Sequence, residues 1–142
     1  MQILLEPSNI PKYEGGLQAF YEYFGQNIIY PNKARNKSLQ GTVFISFEID
    51  SIGQMGNVKI IKDIGENCGE ELLKIVNRTP GQWIPINRTF TFILPIRLKL
   101  ENFDPFKIQD NPPIDVKTYE SEVKNIKGKL LGEIVISAQP KK

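Results

Sequence analysis

Apolar and polar positions change their period twice along this chain. Between Gly16 and Ile28, Leu17, Phe20, Tyr21, Phe24 and Ile28 recur at helical spacing, which predicts a helix of about three turns with one apolar stripe. Pro31 ends it at or before Tyr30, because the residue ahead of a proline is pushed out of the α region. From Thr42 to Asp50 the period becomes two: Val43, Ile45, Phe47 and Ile49 point one way, and Phe44, Ser46, Glu48 and Asp50 the other. This alternation predicts a half-buried strand. The turn residues of Asp50 to Gly56 and the extended run from Val58 to Lys62 make a hairpin with it.

A break at Gly65 to Gly69 precedes a second helix marked by Leu72, Leu73 and Val76, with Glu70 and Glu71 in its first turn, Arg78 at its end, and Pro80-Gly81 as its stop. The clearest strand runs from Thr89 to Leu100. Its buried face would carry Phe90, Phe92, Leu94, Ile96, Leu98 and Leu100, and the opposite face would be largely solvated. Helix, strand, strand, helix, strand predicts an α+β fold, a two-layer sandwich in which a three-stranded antiparallel sheet carries two helices on one face. Beyond Glu101 the pattern shifts, so the chain divides into a domain over 1–101 and a C-terminal extension over 102–142. In that extension the spacing predicts a helix over 115–127 and a strand over 130–136.

The chain of 142 residues is the size of one domain, and its 18 basic and 16 acidic side chains leave a net charge of +2. That charge is too small for a polyanion-binding field, and no basic run is interleaved with aromatics, so nucleic acid is not an expected partner. No stretch of ~18 apolar residues is present, so no direct membrane insertion is expected from this chain. Ile3 to Leu5 is too short for a signal-peptide core.

Candidate chemistry is sparse. There is no histidine, the commonest general base and metal ligand. The single Cys68 sits near the start of the second helix without a base to activate it, which leaves it a structural role. Asp50, Asp63, Glu66, Glu70 and Glu71 lack the alternation of a calcium loop and read as turn and cap residues. Gly53 and Gly56 join two strands, whereas a phosphate loop would open a helix. No catalytic residue, metal or cofactor is expected, and the chain does not read as an enzyme.

The segment from Pro11 to Leu100 carries an ordered set of marks: Tyr13, Gly15-Gly16, Ala19-Phe20, Asn27-Ile28-Ile29-Tyr30-Pro31, Ala34, Gln40-Gly41, Phe47, Asp50, Gly53, Asn57-Val58, Glu70-Glu71-Leu72, Trp83-Ile84-Pro85 and Leu94-Pro95-Ile96. In that order they resemble the C-terminal domain of TonB-family energy transducers, in the version common in Bacteroidetes.

The resemblance implies a non-catalytic protein-binding domain of the cell envelope. Its last core strand would lie at the sheet edge and receive an extended peptide near the N-terminus of an outer-membrane TonB-dependent receptor, coupling inner-membrane energy to nutrient import. On this chain the partner-binding residues would be Thr89, Thr91, Ile93, Arg97 and Lys99, with Tyr30, Pro31, Gly41, Trp83 and Pro85 as structural support. Trp83 would cover the sheet edge, and Pro95 would leave a gap in any added ladder.

The expected location is the periplasm, as the soluble part of a protein anchored in the inner membrane; a native start at Met1 would instead give a cytoplasmic protein. The alternative is a free-standing soluble relative that binds one specific protein, such as an immunity or regulatory protein. The tail supplies a further expectation: the strand from Leu130 to Ile136 adds to the receptor edge, within the chain or by exchange into a homodimer, because a tethered strand has a high effective concentration.

Overall fold

The computed structural model describes residues 10–79, 82–101 and 128–138. Its elements in chain order are β1 (Lys12–Tyr13), α1 (Gly16–Asn27), α2 (Asn32–Asn36), β2 (Gly41–Ile49), β3 (Met55–Lys62), α3 (Cys68–Asn77), β4 (Trp83–Ile84), β5 (Phe90–Leu100), β6 (Lys129–Leu130) and β7 (Ile134–Ala138). The α+β class read from the periods is the class observed. The helix expected over 115–127 and the stop at Pro80-Gly81 lie outside the described residues.

β2 pairs antiparallel with both β3 and β5, which makes the three-stranded antiparallel core of the sheet. Val43, Ile45, Phe47 and Ile49 of β2 are fully buried, with Phe92, Leu94, Ile96 and Leu98 of β5 alongside, against Phe20 and Phe24 of α1 and Leu72 and Val76 of α3. The helices therefore cover one face because their apolar stripes match the period-two face of the strands.

Three short elements escape the sequence pattern. β1 and β4 form a two-residue ribbon that pairs Tyr13 with Trp83, and α2 adds one turn that buries Ala34. Trp83 does not lie over the sheet edge. The ribbon turns it into the core, where its ring centroid is 5.2 Å from Tyr13, 5.4 Å from Phe20 and 5.2 Å from Phe92. An aromatic ring of this size recovers most when all of its faces leave water.

The far side of the sheet is less wet than the alternation predicts. Phe44 and Ile93 are buried there with the half-buried Ile61 and Leu130, and Ser46 and Arg97 are each 7% exposed. The reason is the sheet order, β3-β2-β5-β6 with β7 also on β5: the third core strand is not the last one.

Candidate functional site

The site begins with the backbone of β5. Leu131 donates its amide to the Ile93 carbonyl at 2.8 Å, and Glu101 donates to the Ala138 carbonyl at 2.8 Å. Within a strand, N–H and C=O of one residue point the same way, so the odd-numbered residues of β5 turn their hydrogen-bonding groups away from β2. These odd positions include Thr91, Ile93, Arg97 and Lys99.

That edge is filled by the chain itself. β6 and β7 run parallel to β5, pairing Phe92 with Lys129, Ile93 with Leu130, and then Ile96 through Leu100 with Ile134 through Ala138. Between the two stretches, residues 94 and 95 face three residues, 131 to 133. Pro95 is one of these odd positions and has no amide to offer, so the added strand bulges there and breaks into two pieces.

The bulge supplies three anchors. Leu131 is 4% exposed and joins the main core. The Tyr21 hydroxyl donates to the Gly132 carbonyl at 3.0 Å. Glu133 Oε2 lies 3.5 Å from Arg97 Nη1, an ion pair whose side chains are only 15% and 8% exposed.

Among the residues expected to bind a partner, Ile93 and Arg97 are buried under this arrangement, Thr91 and Lys99 are half-buried, and Thr89 is exposed just ahead of β5. Thr91 also borders a shallow cleft of about 370 Å³ on the far face, lined by Ser46, Glu48, Asn57, Lys59, Ile60 and Ile61. Sequence reasoning placed Leu131 and Glu133 in the strand that adds to this edge without giving either a role, and it did not bring Tyr21 to the edge. Glu133 carried a signal: a lone carboxylate inside an apolar run needs a cation beside it.

The supporting residues sit at joints. Tyr30 and Pro31 are buried, and the Tyr30 hydroxyl donates to the Leu39 carbonyl. Burial, with the neighbouring Cys68 second, pushes the Tyr30 phenol up to about 12. Gly41, at φ +143°, opens β2, and its neighbour Gln40 accepts the Leu100 amide at 2.8 Å, closing the end of the ladder. Pro85 is exposed beyond β4.

The remaining polar groups are committed to structure. Asp50 accepts the amides of Ile52 and Gln54 at 3.0 and 2.9 Å, and Asp63 accepts those of Ile64 and Gly69 at 2.7 and 3.0 Å, so both carboxylates hold turns. The Cys68 thiol is buried and pushed up to about 11, by burial first and by Asp63 and Glu66 next, which keeps it protonated at neutral pH. Among the described residues no group of three or more His, Cys, Asp or Glu is placed to hold a metal ion, and no helix is long and apolar enough to cross a membrane.

The fold is thus an α+β sheet whose outer core strand takes up an extended segment of the same chain in parallel. Residues 26–100 match the family model described as Gram-negative bacterial TonB protein C-terminal, and the chain belongs to that family, whose members are non-catalytic protein-interaction domains of the cell envelope. No curated protein and no solved structure matches the chain.

Proposed function

We propose that this chain is the receptor-contacting domain of a TonB-like energy transducer, working in the periplasm to couple inner-membrane energy to nutrient import. The partner is an extended N-terminal segment of an outer-membrane receptor, which adds to β5 and is read by Thr89, Thr91, Ile93, Arg97 and Lys99, with Trp83 and Pro85 supporting the strand. One observation carries this reading: β5 has its odd-numbered backbone groups turned outward and already accepts a parallel strand along them. Affinity would come from those main-chain bonds and selectivity from alternate side chains.

The test is calorimetric titration of the full chain, and of Thr91→Pro, with N-terminal peptides of outer-membrane receptors. Thr91 is an odd position, so proline there removes a donor to the added strand and none to β2. Saturable binding that Thr91→Pro abolishes is the expected result; binding that Thr91→Pro leaves intact, or none even at millimolar peptide, overturns strand addition. The filled edge favours a second reading, in which a free-standing relative of the fold binds a single dedicated protein through another surface. Capture of one partner that Thr91→Pro does not weaken would support it.

A further inference from the structure

We propose that residues 128–138 are a built-in competitor for the β5 edge, locked by the Arg97–Glu133 pair, and that an incoming partner must displace this strand and bring its own carboxylate to Arg97. This rests on the strand-addition reading above and adds to it a gate and a chemical requirement.

The internal strand is placed to leave without dismantling the fold. It holds β5 on one side only, it is parallel, and its ladder is interrupted opposite Pro95, all features of a weaker pairing. Lys129, Gly132, Val135 and Ser137 are exposed, with Val135 at 48%, while Ile134, Ile136 and Ala138 are half-buried against the core. Only Leu131 is fully inserted. Apart from Leu131, the buried residues of the main core all lie between Tyr13 and Leu100.

The ion pair is both lock and selector. Arg97 Nη1 meets Glu133 Oε2 at 3.5 Å, yet Arg97 Nε and Glu133 Oε1 are buried with no hydrogen-bond partner among the described residues. An arginine never gives up its charge, so a segment that takes the place of this strand and covers the guanidinium again must bring another anion to it. An extended segment that runs parallel to β5 with an acidic residue at the position of Glu133 and aliphatic residues at those of Ile134 and Ile136 satisfies both the charge and the groove. A neutral segment does not. Because the internal strand is tethered, its effective concentration is on the order of millimolar, and any rival in trans binds the wild-type chain weakly.

The probe is a synthetic peptide of residues 128–138 of this chain, titrated into the full-length wild type and into Ile136→Pro. The backbone parity of β5 turns the Ile136 amide toward that strand, so proline there frees the edge. The released variant is expected to bind the peptide saturably and at least about tenfold tighter than the wild type, and a peptide with Gln in place of Glu133 to bind about tenfold more weakly.

Equal binding by wild type and Ile136→Pro overturns the gate, and equal binding of the Glu and Gln peptides overturns the carboxylate requirement. Emission of the sole tryptophan reports whether Ile136→Pro is folded; Glu133→Gln, a milder release, is expected to shift binding in the same direction, and no binding by either variant overturns the proposal. A wild-type dimer in sedimentation that holds the strand in trans overturns its assignment to the same chain. The two readings fail separately. If the released chain binds its own peptide and no receptor peptide, the receptor partner is wrong and the gate stands; if receptor peptides bind wild type and variant equally, the gate is wrong and strand addition stands.

Discussion

Gly53 faces the carbonyl oxygen of Trp83 so closely that a Cβ on Gly53 would lie 2.3 Å from it. The turn between β2 and β3 is thereby packed onto β4, the strand that delivers the only tryptophan to the core. Gly53 also has φ +92°, a conformation that side chains rarely adopt. Gly53→Ala is expected to destabilise the protein by about 2–4 kcal/mol through combined strain and clash. Urea denaturation measures it, and a loss under about 0.5 kcal/mol, the size of an ordinary surface change, would mean that the turn and β4 separate freely.

Trp83 is the hub of an aromatic cluster with Tyr13, Phe20, Phe47 and Phe92, all with ring centroids within 6.0 Å of it or of one another along the chain of contacts. Trp83→Ala is expected to cost about 3–5 kcal/mol, and Trp83→Phe clearly less, because the phenyl ring keeps part of the packing. Circular dichroism followed through a urea titration gives both values. Equal losses for the two variants would assign the role of Trp83 to something other than filling volume.

Alkaline pH is expected to unfold the protein in a window set by Tyr30. Its phenol is raised from 10.0 to about 12, so the folded state holds the proton more tightly than the unfolded chain does. That contribution to stability is complete below pH 10 and is lost as the pH rises through 12. The thermal midpoint should fall across that interval, and Tyr30→Phe should make the fall shallower while losing about 1 kcal/mol for the bond to Leu39. Burial raises Tyr13 and Tyr21 as well, so a residual slope remains. An unchanged slope in Tyr30→Phe would rule out Tyr30 as its source.

The Arg97–Glu133 pair is expected to contribute specificity and little stability. Two of its atoms are buried without hydrogen bonds among the described residues, and such pairs are often replaceable by apolar residues at no loss. The double variant Arg97→Met/Glu133→Leu should match or exceed the wild type in urea. Glu133→Leu alone should be weaker than the double variant by about 1–3 kcal/mol, since it strands the guanidinium. Additive losses would show that the two groups do not interact.

Much of this fold was legible because it rests on local period. Phe20 and Phe24 announce α1, Val43 to Ile49 announce β2, and Phe90 to Leu100 announce β5, each through spacing alone. Asp50 and Asp63 were equally legible as turn residues, since a carboxylate that bonds the amides just beyond it is a short-range device. The ribbon of β1 and β4 was not, because two residues carry no period. Nor was the burial of Phe44 and Ile93 on the far face, which depends on Ile61 and Leu130 arriving from other strands.

What the sequence determined by itself is therefore local conformation, the helical face and the alternating strands, together with membership of a protein-interaction family. The sequence offered the strand from Leu130 to Ile136 as a neighbour for β5, and what only the tertiary structure decided is how it stands there: parallel, in two pieces, with Glu133 at Arg97. Arg97 and Glu133 are 36 residues apart, and no periodicity links them. Their meeting follows from backbone groups on an open strand edge that must find partners, and from a tethered segment able to supply them.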